Sequence, residues 1–444
     1  MFKRKISSFL TNWKDKKQRK PLILRGARQV GKTSAVLMFA KEHFKNVINL
    51  NLEKAEHLSA FRNRISLADS EKIIQVKFKQ KIVPGETLVF IDEIQNSPHL
   101  IKLLRFFYEE KPKVHVIAAG SLLRAKIEQE GLSLPVGRIE YAYLYPLDFF
   151  EYLEAKEERE LLGFLKNISL TRIIPDAIHR QALKIFYEYT MLGGMPEIVK
   201  VFLENKNPEE LKSIYSSLLT AYTEDVYKYS SRANAKYLTY IIEQAPLFAG
   251  TTIVYEKFGG GHFRSREMSQ AFEVLEKVML VYRAQATKSI NLPLTAQRKR
   301  PNKLLFLDIG IVNHRMDIQG EYSNVNNLNE FYRGRIAEQV VGQNILAQFT
   351  TSLPKIFYWA KEKPLASAEI DFCLQNKGKI VGVEVKSGKA GRLKSLFEFG
   401  KLVNKAKLIR VYGGEFRNER IKIRDGRFNL ISLPFYLMPR ILEI

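Results

Sequence analysis

Residues Gly26–Thr33 read GARQVGKT and residues Thr87–Gln95 read TLVFIDEIQ. The first stretch has the spacing G-x-x-x-x-G-K-[ST], which suits a loop that wraps phosphate. Glycine at Gly26 and Gly31 lets backbone amides approach phosphate oxygens with no Cβ in the way. Ala27, Arg28, Gln29 and Val30 supply the intervening amides. Lys32 puts a positive charge on the outer phosphates, and Thr33 offers a hydroxyl to a magnesium ion. Ser34 opens a helical run to Phe44, whose positive dipole end points at the phosphates. At average residue usage the four fixed positions recur by chance in about 2% of chains this long. The apolar strand Leu22–Leu24 before the motif and the helix after it lower that figure further. In the second stretch Asp92 ends a run of strand-forming apolar residues, within reach of the metal. Glu93 follows and is placed to orient or deprotonate a water. Two acids at the end of a buried strand carry a desolvation cost that calls for a chemical role; the other reading is an acidic helix N-cap.

Working outward, Val47–Leu52 and Val114–Ala118 are further short apolar runs of the kind buried in a parallel sheet. Strands alternating with helices imply a doubly wound α/β domain over residues 1–150. VIAAGS places Ser121 just past a strand, where it could sense a γ-phosphate. VGRIE places Arg138 before the next strand, as a candidate arginine finger or as an ordinary surface arginine. Residues 151–207 are helical, a lid or linker; Gly193 and Gly194 stop one helix, and Pro196 is expected to fix the turn after it.

Residues 208–320 show helices, a KFGGGH break, another helix and a hairpin, the order of a winged-helix module. The stretch Lys288–Lys303 contains Lys288, Arg298, Lys299, Arg300 and Lys303 and no acid. It is either a basic wing that touches phosphate or a solvated hairpin tip. Residues 321–444 return to α/β. There Glu338 sits on a helix, Asp371 on one strand, and Glu384 and Lys386 two apart on the next, sharing a face. Glu369 lies on the same face as Asp371. Such a set holds either a metal site or a plain acid–lysine ion pair.

The chain has 444 residues and a formal net charge of +24. That balance attracts polyanions, nucleic acid first among them, DNA being favoured. The single cysteine, Cys373, excludes an internal disulfide framework and a cysteine-built zinc site, and it fits a reducing cytoplasm. No apolar stretch is long enough to span a membrane, and no membrane partner is expected. The basic start MFKRKISSFLTNWKDKKQRK lacks the apolar core and cleavage site of a secretory signal. Its residues Phe2, Ile6, Phe9, Leu10 and Trp13 have helical spacing and suit packing onto the first domain.

The blocks LRGARQVGKT, LVFIDEIQ, AAGSLL, LPVGRIEYAYLYPLDFFEYL, GGMPEIV, LLFLDIGI and EIDF…VGVEVKSG resemble, in order, the archaeal and bacterial AAA-type ATPases with a C-terminal domain of unknown function. The first two blocks are generic to many nucleotide hydrolases, whereas GRIEYAYLYPLDFFEYL and GGMPEIV are far more specific. Ala27 and Ala119 stand where that family commonly has proline and threonine. The resemblance implies an ATPase core, a winged-helix-like middle and a nuclease-like end. The order of Glu338, Asp371, Glu384 and Lys386 resembles the PD-(D/E)xK nucleases. By that resemblance Asp371 and Glu384 would hold magnesium, Glu338 would complete its shell, and Lys386 would position a water. The expectation is therefore an ATP- and Mg²⁺-dependent ATPase acting with nucleic acid, with room for a homo-oligomer. Two other readings stand beside it. One is an ATP-gated switch whose nuclease-like domain only binds; the other is an ATP-regulated, metal-dependent DNA nuclease.

Overall fold

The computed structural model describes residues 1–61, 65–129, 131, 134–135, 137–205, 207–318, 334–361, 368–386, 393–403, 405–423 and 426–444. The first domain is built on β1 (Leu22–Arg25), β2 (Asn46–Asn51), β3 (Thr87–Asp92), β4 (His115–Gly120) and β5 (Glu140–Tyr143). These pair in the order β2-β3-β4-β1-β5, every pair parallel. The apolar runs need no alternation because both faces are covered. Leu22, Leu24, Leu88, Phe90 and Ile117 face one core, with the helix Lys32–His43 and with Ile6, Leu10 and Trp13 of the N-terminal helix. Ile23, Val89, Ile91 and Val116 face the other, with the helix Pro98–Glu110. Because all five strands run the same way, their carboxyl ends share one edge, where ligands bind in open α/β sheets.

Helices dominate residues 149–244. Asp176–Leu192 ends at Gly193, which has φ 75°. Pro196, expected to fix a turn, instead starts the helix Pro196–Asn205; the first helical turn has no use for the missing N–H. Gly194 packs so closely that a Cβ would lie 2.1 Å from the Leu147 carbonyl oxygen. Its amide donates to Asp308 (2.7 Å), which also accepts from Gly310 N–H at the start of the helix Ile309–Arg315. The segments LYPLDFFEYL and LLFLDIGI thus both close on GGMPEIV, the first through Leu147 and the second through the buried Asp308 carboxylate.

The remaining strands are β6 (Thr252–Ile253), β7 (Val281–Thr287), β8 (Asn302–Phe306), β9 (Ile356–Ala360), β10 (Glu369–Asn376), β11 (Lys379–Lys386), β12 (Lys407–Tyr412), β13 (Arg417–Ile423) and β14 (Gly426–Pro434). They form one nine-stranded sheet in the order β13-β14-β12-β11-β10-β9-β7-β8-β6. The expected hairpin is β7–β8, antiparallel, but β7 also pairs in parallel with β9. The hairpin is thereby part of the same sheet as the C-terminal strands. The boundary expected at 320/321 lies outside the described residues. Among the described residues no helix is long and apolar enough to cross a membrane.

Candidate functional site

At the carboxyl edge of the first sheet, β1 turns directly into the loop Gly26–Gly31. Gln29 and Gly31 take positive φ (65° and 91°), a path that curls the amides inward. A Cβ on Gly26 would come within 2.4 Å of the Leu144 carbonyl oxygen. Ala27 and Val30 are buried, so they serve through backbone only. Lys32 is buried at the base of the helix and its ammonium donates to the carbonyls of Gly26 (3.1 Å) and Ala27 (2.8 Å). Burial draws its pKa down; the nearby carboxylates of Glu93 and Asp92 oppose that. Thr33 Oγ1 donates to Asp92 Oδ2 at 2.7 Å. Burial pushes the Asp92 carboxyl up, and the Thr33 hydrogen bond resists.

Glu93 has φ 53°, a left-handed conformation unusual for a residue with a Cβ. Its amide donates to Asp92 Oδ1 (3.1 Å), and its carboxylate accepts from Gln95 Nε2. Gln95 fits there because Gly120 lacks a side chain; a Cβ would lie 2.2 Å from Gln95 Oε1. Above the loop lies a cavity of about 520 Å³, lined by Arg28, Lys32, Thr33, Ser34, Glu53 and Glu93 among others. A triphosphate tail with a divalent ion fits this donor set: curled amides, one buried ammonium, and a hydroxyl–carboxylate pair at its edge.

Two partners of the loop were not legible in the sequence. Arg4 donates to the Val30 carbonyl (2.8 Å) and pairs with buried Glu151 (2.9 Å). Arg28 forms a two-pronged pair with Asp225 of the helix Pro208–Tyr229, and Tyr222 donates to the Arg28 carbonyl (3.2 Å). Asp225 is 197 residues from Arg28, so no local signal could join them.

Ser121 is buried immediately after β4, at the same sheet edge, but does not line the cavity. Of the two readings given for Arg138, its place within its own chain is that of a surface arginine. It precedes β5, at the opposite edge of the sheet from the loop, and pairs with Glu109 (3.0 Å) in the last turn of the helix Pro98–Glu110. Parallel strands put everything before a strand on the far side from everything after its neighbour. Arg138 therefore cannot reach the cavity of its own chain.

In the C-terminal sheet Glu338, Asp371, Glu384 and Lys386 converge, with one unexpected member. Lys303, expected as part of a basic wing, is only 2% exposed and points inward from β8. Its ammonium lies 2.6 Å from Glu338, 3.4 Å from Asp371 and 3.8 Å from Glu369. Burial alone would depress Lys303, but Asp371 and Glu338 outweigh it and hold the ammonium above its ordinary value. Lys386 donates to Glu384 Oε1 (2.6 Å), and Val385 N–H donates to Asp371 Oδ2 (2.8 Å). The cue in the sequence was position: Lys303 directly precedes the apolar run LLFL, which marks it as a strand residue.

Residues 18–153, which include the whole phosphate loop and the acid pair, match the family model described as an AAA domain. The chain carries an AAA-type P-loop domain. Behind this AAA domain, residues 183–322 match a domain of unknown function (DUF8612) and residues 333–436 another (DUF4143). No curated protein matches the chain. Among solved structures, the Walker-type ATPase of Pyrococcus abyssi is similar at 18% identity, over 71% of this chain and 96% of that one, with TM-score 0.46. The RuvB Holliday junction branch migration motor of Thermotoga maritima is similar at 18% identity, over 63% of this chain and 87% of that one, with TM-score 0.30. The ORC1 protein of Aeropyrum pernix, solved in complex with DNA, is similar at 12% identity, over 71% and 91%, with TM-score 0.28.

Proposed function

We propose that the AAA domain binds ATP with Mg²⁺ and hydrolyses it, and that the chain uses this cycle on nucleic acid, DNA in the first place. The observation that carries the reading is the Thr33–Asp92 hydrogen bond of 2.7 Å beside buried Lys32. It joins the two sequence motifs across the sheet.

In this reading the amides of residues 27–33 cradle the phosphates. Lys32 turns from the Gly26 and Ala27 carbonyls to the β- and γ-phosphate oxygens, exchanging two neutral acceptors for anionic ones. Thr33 and Asp92 would hold the magnesium ion, which when bound neutralises charge on the outer phosphates. Glu93 accepts a proton from, or orients, the water that attacks in line. Gln95 holds its carboxylate until substrate arrives. Arg28 and Arg4, rather than Arg138, are the arginines that line the cavity among the described residues. For the nucleic-acid partner the support is the net charge of +24 and the exposed residues Lys288, Arg298 and Lys299 between β7 and β8. We place the winged-helix-like module at 208–320 and the nuclease-like domain at 321–444, the two sharing one sheet.

The test is nucleotide binding and phosphate release by the wild type and by Lys32→Ala, with and without DNA or RNA. The variant should lose binding or turnover; normal turnover in it discards the assignment of the loop.

A further inference from the structure

A nuclease-like reading of the C-terminal domain calls for a divalent cation between Asp371 and Glu384, with Glu338 alongside. The residues as folded do not fit one. We propose that the ammonium of Lys303 is the resident cation of this acidic cluster, held on its Glu338–Asp371 side next to the place a metal ion would take, so that the domain loads no divalent metal.

Three observations support this. The first is occupancy. Lys303 Nζ contacts Glu338 Oε2 (2.6 Å), Asp371 Oδ1 (3.4 Å) and the Asp371 carbonyl (3.3 Å), with Glu369 at 3.8 Å. A divalent ion takes about six oxygens at roughly 2.0–2.6 Å. Bound between Asp371 and Glu384, it would compete for Asp371 Oδ1 and would face a second cation at close range. The second is rigidity. Lys303 is not a mobile loop tip. Its backbone is paired on both sides, to Ala284 of β7 and to Thr252 of β6. Its ammonium also lies over the rings of Tyr358 (5.7 Å) and Phe372 (5.5 Å). The sheet thus fixes its backbone, and the acids and rings enclose its ammonium. The third is engagement of the acids themselves. Asp371 Oδ2 is committed to Val385 N–H and Glu384 Oε1 to Lys386. Glu384 Oε2 is the carboxylate oxygen that remains buried with no hydrogen-bond partner, and one such oxygen does not make a metal shell. The cluster is thus an ion network in which Lys303 pairs with Glu338, Glu369 and Asp371, and Lys386 pairs with Glu384. It fastens the β7–β8 hairpin to the C-terminal domain, and it makes that domain a binding or structural platform.

The test uses the full chain without nucleotide and Mn²⁺ as the probe, read by electron paramagnetic resonance of free ion. The wild type should show no Mn²⁺ uptake that depends on Asp371, judged against Asp371→Asn. Lys303→Met should gain a single Mn²⁺ site that disappears when Asp371→Asn is added. Uptake by the wild type that Asp371→Asn abolishes would overturn the proposal, as would a folded Lys303→Met that gains no site. If Lys303→Met unfolds, combining it with Glu338→Gln and Asp371→Asn should restore a cooperative thermal transition, because the charge that Lys303 balances has gone. Failure of that rescue also overturns it.

Discussion

Glu93 stands in a left-handed backbone conformation, next to an aspartate that is itself held by Thr33. A non-glycine residue there costs on the order of 1–2 kcal/mol, and such strain gathers at sites where it aims a side chain. Here it turns the carboxylate away from the strand and onto Gln95. Glu93→Gln keeps the shape and removes the proton acceptor. We expect the variant to bind ATP as the wild type does and to turn over about 10²–10⁴-fold more slowly. Wild-type kcat would remove Glu93 from the chemistry. Arg138→Ala is the contrasting change. Its partner is Glu109, at the far sheet edge, so kcat and KM of the dilute chain should stay within about twofold, the range expected of a surface pair. A large fall in kcat would mean that Arg138 reaches a cavity after all, in a second copy.

At the scale of elements, the N-terminal helix is held to the AAA core by a buried aromatic cluster. His115 of β4 packs edge-on against Trp13 and Phe44, with centroids 5.9 and 4.8 Å away. Burial, aided by the positive charge of Arg19, depresses its pKa from 6.5 to about 4. Lys14 adds to this and Asp15 opposes it, while the Lys14 carbonyl accepts from the ring at 3.3 Å. The folded-state value lies below the unfolded one. In the window between them the unfolded chain therefore binds the extra proton, and stability falls as pH falls. The contribution of His115 is intact above pH 6.5 and is lost progressively towards about pH 4. His115→Gln should flatten that part of the Tm-against-pH curve relative to the wild type; an unchanged slope would show that His115 is not the group responsible. The same helix carries the chain to Arg4, which clips the loop at Val30. Loosening this element should therefore also weaken nucleotide binding.

For the whole molecule, several contacts tie the AAA domain to the remainder of the chain. Among them, Arg28 reaches Asp225, and Leu147 N–H donates to the Gly194 carbonyl (2.7 Å), Gly194 being bonded in turn to Asp308. The β7–β8 hairpin in turn belongs to the C-terminal sheet. Movement at the phosphate loop has a route of packed, hydrogen-bonded elements to the basic segment between β7 and β8. If that segment contacts nucleic acid, log Kd should rise linearly with log salt. The triple change Lys288→Ala, Arg298→Ala and Lys299→Ala should reduce that slope by about 2–3. A salt-independent affinity, or a slope that the triple variant leaves unchanged, would place the contact elsewhere.

The sequence by itself determined the AAA domain. GARQVGKT and TLVFIDEIQ each carry their geometry locally, because a strand, a glycine turn and a helix start are decided by neighbours within a few residues. Short apolar runs were enough to locate β1 to β4 for the same reason. The last strands, β13 and β14, went unread: their polar, Arg- and Lys-bearing faces look like loop until they pair. Lys303 was misplaced, and Arg138 left open between two readings, because a charge in a sequence has a sign but no surroundings. Only the tertiary structure decided that Arg138 lies behind the sheet, that Arg28 meets Asp225, and that Lys303 is enclosed by Glu338, Glu369 and Asp371. Those are contacts between residues tens to hundreds of positions apart. Strand order sets them, and strand order comes from how the cores pack rather than from any local run of residues.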